Sequence, residues 1–341
     1  MLNVGLVGIG YMGRMHLRSY IRLAQEGYPV RVTAICDKDV QKFQGVFAEE
    51  GVKLPGTDID FSPYRLYSDM EEMLEKERLD AVDLTLPTYL HAPLTVAALD
   101  KGVHVLCEKP MAQNAEEART MLEAANRSGA KLMIAQVLRF WPEYEYLKQT
   151  VDSGRYGRVI SASFFRGGPP TKHTHDNWML RSATSGGGLL DMHIHDIDIV
   201  YWLFGKPEAV STLSVDVLDD SSFDAMSTNY LFADAKVVNT QIDRVLCGEI
   251  GFHMSYRVNF ERGTLVYEKR QLSDYPRDGK AFVPELSQDS GYYREIQYFL
   301  EAVRTGVPVE RALPEHTLDS LLLAEAQRRS ALQRGAVVAI T

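Results

Sequence analysis

Short apolar runs alternate with amphipathic stretches through the first third of the chain, and the two textures predict different elements. LNVGLVG (2–8), VRVTAICD (30–37), LDAVDLTLP (79–87), VHVLCEK (103–109) and KLMIAQVL (131–138) are nearly continuous apolar runs, as expected of strands covered on both faces. Between them, residues 11–27, 38–51, 68–77, 91–102 and 114–129 carry helical spacing. Ser68 is the expected N-cap of the third helix, and Gly129 closes the last. Residues 52–68, rich in Pro, Gly and Asp, predict an irregular connection. Strand–helix alternation of this kind predicts parallel strands joined by right-handed crossovers.

A connecting helix is predicted over 141–157, and beyond it the pattern changes. RVISASFFRG, AVSTLSVDVL, AMSTNYLFAD, AKVVNTQIDRV, GFHMSYRVNFERG and TLVYEKR alternate or are β-branched, and short polar connections join several of them. They predict strands in antiparallel meanders. A glycine- and histidine-rich stretch, 167–204, interrupts them. Residues 291–306 and 314–335 are helical again, and 336–340 form a short final strand. The expected division is 1–138 and 139–341, with the C-terminal helices able to pack back on the first domain.

Charge narrows the partners. The 341 residues carry a formal net charge of −9, which argues against nucleic acid or an anionic membrane as the main partner. With no run of 18 apolar residues, no membrane span is expected. The apolar start lacks a basic leader and reads as a first strand. Cys36 and Cys107 lie in strand-like runs, and neither they nor Cys247 form a CxxC pair. Free thiols of this kind point to a reducing, cytoplasmic setting.

Two stretches carry chemistry. Gly8, Gly10 and Gly13 have the G-x-G-x-x-G spacing between a strand and a helix, and Asp37 ends the second strand. Gly8 permits the tight turn, Gly10 lets backbone approach a pyrophosphate, and Gly13 lets helix and strand pack closely. Tyr11 and Met12 share that turn, whose free N–H groups suit an anion. Asp37 would accept from an adenosine ribose diol and repel a 2′-phosphate, while the adjacent Lys38 offsets that repulsion. The expected cofactor is NAD, with NADP also accommodated. A dinucleotide-binding Rossmann domain is therefore the expected N-terminal fold.

In open parallel sheets ligands sit beyond the carboxyl ends of the strands. Pro87 and Thr88 occupy one such end, and Glu108 and Lys109 of LCEKPMAQN occupy the next. A lysine there can hydrogen-bond a hydroxyl and stabilise an alkoxide, although a surface ion pair at a strand end would look the same. In GGGLLDMHIHDIDIVYWLFG (186–205), Asp191 and His195 are i and i+4 on a helix, and His193 is turned away by about 200°. A histidine beside a carboxylate is a reasonable proton acceptor near neutral pH. The i, i+2 spacing of His193 and His195 suits a helix-borne metal poorly, so no metal is expected. Upstream, Lys172, Trp178 and Arg181 lie in a polar loop where a pocket could form, and Arg139 and Trp141 follow a strand end.

GIGYMG, LPTYLH (86–91), EKP (108–110) and GGGLLDMHIHD (186–196), in this order, resemble the Gfo/Idh/MocA oxidoreductases over essentially the whole chain. The resemblance implies a Rossmann domain followed by a domain with a large, open, mostly antiparallel sheet: α/β plus α+β. It implies an NAD(P)-dependent dehydrogenase acting on a secondary alcohol of a sugar, cyclitol or sugar derivative. Lys109 would contact nicotinamide and substrate, Asp191 would bind substrate, and His195 would be the general base. Pro87, Thr88 and His91 would line the nicotinamide ribose side with Glu108 nearby; many relatives have asparagine where this chain has Thr88. From their places in the chain, Lys172, Trp178 and Arg181 are candidates to face substrate, and Arg139 is read equally as a substrate contact or a structural ion-pair residue. The resemblance also implies a homodimer or homotetramer built through the outward sheet face. The family also holds NAD-assisted glycosidases and proteins without turnover, so an NAD-assisted lyase or glycosidase and a nucleotide-sensing binding protein stand as alternatives.

Overall fold

A computed structural model describes residues 1–45, 59–170 and 175–340. The chain divides into two compact units that are not contiguous in sequence. The first is built mainly from residues 1–137 and 289–318, the second mainly from 138–172, 178–288 and 319–341.

The first unit carries β1 (Leu2–Val7), α1 (Tyr11–Gln25), β2 (Val30–Cys36), β3 (Arg65–Tyr67), α2 (Met70–Lys76), β4 (Ala81–Leu84), α3 (His91–Asp100), β5 (His104–Glu108), α4 (Ala115–Ser128) and β6 (Leu132–Ala135). The six strands form one sheet in the order β3-β2-β1-β4-β5-β6, and every pairing is parallel. The order reverses between β1 and β4, which is where such sheets open a crevice for a dinucleotide.

The second unit contains α5 (Pro142–Ser153), β7 (Val159–Gly167), α6 (Ser182–Ser185), α7 (Ile194–Phe204), β8 (Ala209–Val215), β9 (Ala225–Leu231), β10 (Val237–Asp243), β11 (His253–Phe260), β12 (Gly263–Glu268) and β13 (Gln271–Pro276). Next along the chain comes α8 (Gly291–Thr305), which belongs to the first unit, and then α9 (Pro314–Leu332) and β14 (Val338–Ala339). The eight-stranded sheet runs β13-β12-β11-β7-β10-β9-β8-β14. It consists of two antiparallel meanders set either side of β7, and the β7–β10 pair is parallel. One face is apolar and closed: Phe164, Tyr230, Val238, Tyr256 and Val258 pack with Tyr144 and Leu147 of α5, Ile199 and Leu203 of α7, and Ala326 of α9. The alternate side chains, such as Ser163, Asn229, Gln241 and Arg257, point to the other face and are exposed or half-buried. That face is mostly polar, with Leu213, Val215, Leu231, Val237 and Tyr275 among its exposed apolar members.

Helix α8 packs on the first unit through α1. Tyr28 donates to Glu301 at 3.0 Å, and Arg22 donates to Asp289 at 2.7 Å.

Three local expectations need correction. The helix expected over 38–51 is, in its described part, a 3-10 turn at Val40–Gln44 closed by a left-handed Gly45 (φ 79°); the remainder lies outside the described residues. Helix α2 is capped by Asp69, not Ser68: the Asp69 carboxylate accepts from Glu72 N at 2.9 Å. The 52–68 stretch ends in a strand, β3, and β13 is a further strand absent from the sequence reading. Both are short, half-exposed strands without an apolar run.

Candidate active site

The turn after β1 is held by sterics that only glycine satisfies. Gly8 has φ +91°, and a Cβ on it would fall 2.4 Å from Thr85 O. A Cβ on Gly13 would fall 1.9 Å from Gly8 O, so α1 and β1 could not keep their separation. Gly10 differs: a Cβ there would meet nothing within 4 Å. The turn is thus tight beneath and open above. Gly10 is the N-cap of α1 with no side-chain cap, and the first turn holds no acidic residue. Its N–H groups and dipole are therefore available to a phosphate. Tyr11 is exposed, and Met12 is half-buried in the same turn.

Asp37 lies at the end of β2 and is 7% exposed. Its Oδ2 accepts from Ile9 N at 2.8 Å, tying the glycine turn to the second strand. Its Oδ1 accepts from Asp39 N at 2.9 Å. Lys42 donates to both oxygens, at 3.0 and 2.9 Å. The lysine beside the carboxylate is therefore Lys42; Lys38, expected in that role, is exposed.

Thr88, after β4, is 1% exposed. His91 is equally buried, and both of its ring nitrogens face backbone carbonyls: Pro110 O at 2.7 Å and Leu86 O at 2.8 Å. Burial lowers its pKa, and a neutral ring donates to only one of the two. His91, expected beside the ribose, thus lies between the turn after β4 and the turn after β5, with a ring nitrogen on a carbonyl of each.

Glu108 ends β5 and Lys109 follows, half-buried, before a cis bond to Pro110. Lys109 N donates to Glu108 Oε2 at 3.0 Å. Beneath Glu108 is a polar cluster with no obvious signal in the sequence. His16 of α1 contacts Asp83 Oδ2 through Nδ1 at 2.9 Å and Glu108 Oε1 through Nε2 at 3.3 Å. Tyr20 also donates to Asp83, at 3.0 Å. Burial by itself would lower the His16 pKa, but the Asp83 and Glu108 carboxylates overrule it and raise it well above its ordinary value. Burial likewise works to raise Glu108, and His16 with Lys109 holds it below its ordinary range. Glu295 of α8 is fully buried; burial first, then the Glu108 and Asp83 charges, pushes its carboxyl well upward, toward the acid form.

In the second unit, the Gly186–Gly188 turn admits no side chains: a Cβ on Gly188 would fall 2.0 Å from Phe223 O. A π-helical turn, Leu189–His193, follows and runs into α7. Such turns recur at functional sites. Asp191 lies in the widened turn and His195 in the first turn of α7, so the regular i, i+4 helix face expected for the pair is modified. Asp191 is 9% exposed and His195 half-buried. Arg244, 2% exposed, has Nη2 3.6 Å from Asp191 Oδ2 and donates to Met179 O at 3.1 Å.

Other polar groups of the π turn and α7 are anchors. His193 meets Thr240 Oγ1 through Nε2 at 3.0 Å, and burial depresses its pKa to about 4. Asp196 is forked by Arg166 at 3.0 and 3.1 Å. Asp198 is forked by Arg139 at 2.8 and 2.7 Å and accepts from Ser320 at 3.0 Å. Of the two readings of Arg139, the structural ion pair is the one found: it is 0% exposed and holds α7 to the segment after β6. Trp178 is half-buried and Arg181 exposed, just before α6, and Lys172 lies outside the described residues.

Among the described residues, no group of three or more His, Cys, Asp or Glu could hold a metal ion, and no helix is long and apolar enough to cross a membrane.

Comparison with known proteins decides the family. Residues 2–136 match the model of the oxidoreductase family with an NAD-binding Rossmann fold, and residues 144–266 match the GFO/IDH/MocA C-terminal domain. The chain belongs to the Gfo/Idh/MocA oxidoreductase family. It is an NAD-binding oxidoreductase, and the open turn at Gly10, the uncapped α1 and Asp37 are the residues that fit the dinucleotide.

Among Gfo/Idh/MocA relatives, the rhizopine catabolism protein MocA of Rhizobium meliloti is 27% identical, over 95% of this chain and 93% of that protein. An inositol 2-dehydrogenase of Corynebacterium glutamicum is 25% identical over 90% and 87%. The match to levoglucosan dehydrogenase of Pseudarthrobacter phenanthrenivorans, 27% identical, covers 62% of this chain and only 53% of that protein. In fold, a levoglucosan dehydrogenase solved with NADH and levoglucosan superposes with a TM-score of 0.84 over 99% of both chains at 21% identity. A Thermotoga maritima oxidoreductase gives 0.82 over 99% and 98% at 25% identity.

Proposed function

We propose that this chain oxidises a secondary alcohol of a sugar, cyclitol or sugar derivative. Bound NAD supplies the hydride acceptor. Lys109 donates a hydrogen bond to the substrate hydroxyl oxygen and stabilises the negative charge that develops there. His195 takes the hydroxyl proton on its imidazole, and Asp191 holds a neighbouring hydroxyl so that the reacting one is oriented. Pro87 and Thr88 border the nicotinamide side. Trp178 offers a flat apolar face to a ring, and Arg181 and Lys172 meet polar substituents.

The observation that carries this reading is Lys109 at the carboxyl end of β5, on the same sheet end as the open glycine turn, with its backbone N–H held by the Glu108 carboxylate. The relatives named for inositol and levoglucosan support the substrate class. The test is a panel of polyols, aldoses and sugar acids with NAD, applied to the wild type, Lys109→Ala and His195→Ala. Turnover falls by about 10²–10⁴-fold in each variant while NAD binding persists. Full activity in both variants overturns the assignment. Product formed without accumulation of reduced nicotinamide replaces it with an NAD-assisted lyase or glycosidase.

We also propose that the chain assembles as a homodimer or homotetramer through the outward face of the eight-stranded sheet. Leu213, Leu231 and Val237, 60, 40 and 64% exposed on that face, support it.

A further inference from the structure

The Asp37 carboxylate is already satisfied by the protein. Each oxygen accepts one backbone N–H, from Asp39 to Oδ1 and from Ile9 to Oδ2, and Lys42 Nζ bridges both. The Ile9 bond fixes the carboxylate against the glycine turn and cannot be given up without moving β2 against that turn, while the Asp39 bond is a local one within the segment after β2. The lysine bond can be given up: Lys42 is on a 3-10 turn, its side chain is 16% exposed, and its ammonium rides on a flexible stem. A ribose diol that hydrogen-bonds Asp37 must therefore compete with Lys42 for the same lone pairs. A phosphate on the 2′ oxygen would meet not a bare carboxylate but a carboxylate with an ammonium within 3.0 Å of both oxygens.

We infer that Lys42 is the specificity-determining residue of the adenosine end: it weakens NAD binding by occupying Asp37 and permits NADP binding by pairing with the 2′-phosphate. The two effects have opposite signs. A lysine that only stabilised the 3-10 turn would move both cofactors in the same direction. The inference goes beyond the proposed alcohol oxidation and does not depend on which substrate is turned over.

The experiment is equilibrium binding of NAD and NADP to the full chain, followed by quenching of protein fluorescence, for the wild type, Lys42→Met and Lys42→Arg. Lys42→Met tightens NAD several-fold and weakens NADP by about tenfold, the range of one charge-assisted hydrogen bond reduced by solvent, and Lys42→Arg restores NADP binding. Thermal unfolding of each variant separates a folding defect from a change at the site. The inference is overturned if Lys42→Met shifts both dissociation constants in the same direction, or shifts neither. Opposite shifts in a chain that oxidises no alcohol would leave this inference standing and remove the proposed function instead.

Discussion

Two buried histidines hold protons in opposite senses because of what surrounds them. His193 faces a threonine hydroxyl, and burial depresses its pKa to about 4. The unfolded chain would protonate it near the ordinary 6.5. The stability it confers is thus fully present above pH 6.5 and is lost as pH falls toward 4, amounting to about 3 kcal/mol at 1.36 kcal/mol per unit. His16 has the reverse sign: Asp83 and Glu108 raise its pKa despite burial. Its contribution is full below 6.5 and is lost as pH rises through the elevated folded value. Urea unfolding from pH 4.5 to 9 checks both. His193→Asn flattens the acid limb, His16→Asn flattens the alkaline limb, and wild-type stability that did not fall on the acid side would contradict the first. At this scale spacing marked Gly8, Gly10, Gly13 and Asp37, whereas Lys109 at its strand end read equally as a surface ion pair until the EKP resemblance gave it a role. The sequence did not show His16, Arg166, Arg244 or Lys42, whose partners lie 30 to 92 positions away or emerge only once a turn is folded.

At the scale of elements, two helix starts are tightly fixed, one in each unit. Helix α1 starts over a turn so close to β1 that Gly13→Ala would place a Cβ 1.9 Å from Gly8 O. The expected result is loss of NAD binding with a fall in stability of more than about 2 kcal/mol, measured by calorimetric titration and urea unfolding. Helix α7 is fixed by Arg139–Asp198 and Arg166–Asp196, both buried. Arg139→Met leaves the Asp198 charge buried without its fork and should cost about 3–5 kcal/mol in urea unfolding. Retention of stability within about 0.5 kcal/mol would show that α7 does not depend on that pair. The apolar runs and helical periods made α1, α3, α4 and α8 legible to within a residue or two. The π turn at 189–193 was not, since one extra residue in a turn leaves the apolar pattern almost unchanged. The 3-10 turn at 40–44 was missed because its residues favour a helix by composition, while the Asp39 cap and left-handed Gly45 confine it.

At the scale of the molecule, the change from continuous to alternating apolar patterns predicted the two sheets, and the family match accounts for both. The sequence allowed the C-terminal helices to pack back on the first domain but could not say which: α8 belongs with the parallel sheet, while most of α9, with β14, belongs with the other. The outward sheet face is mostly polar, and its exposed apolar members, Leu213, Leu231 and Val237 among them, are what support the assembly proposal. Light scattering after size exclusion tests it: a dimer or tetramer is expected, and Val237→Lys should shift it toward monomer, whereas a monomeric wild type would remove the proposal. The central claim is oxidation of a CH–OH group with NAD, using Lys109 from the EKP turn. Its most direct test is reduced-nicotinamide absorbance across the polyol and sugar panel, with wild type and Lys109→Ala in parallel and NAD affinity measured on both. The account predicts net accumulation with at least one substrate, reduced by about 10²-fold or more in the variant, with NAD affinity essentially retained. Undiminished accumulation in Lys109→Ala, or product with no accumulation in the wild type, would contradict it.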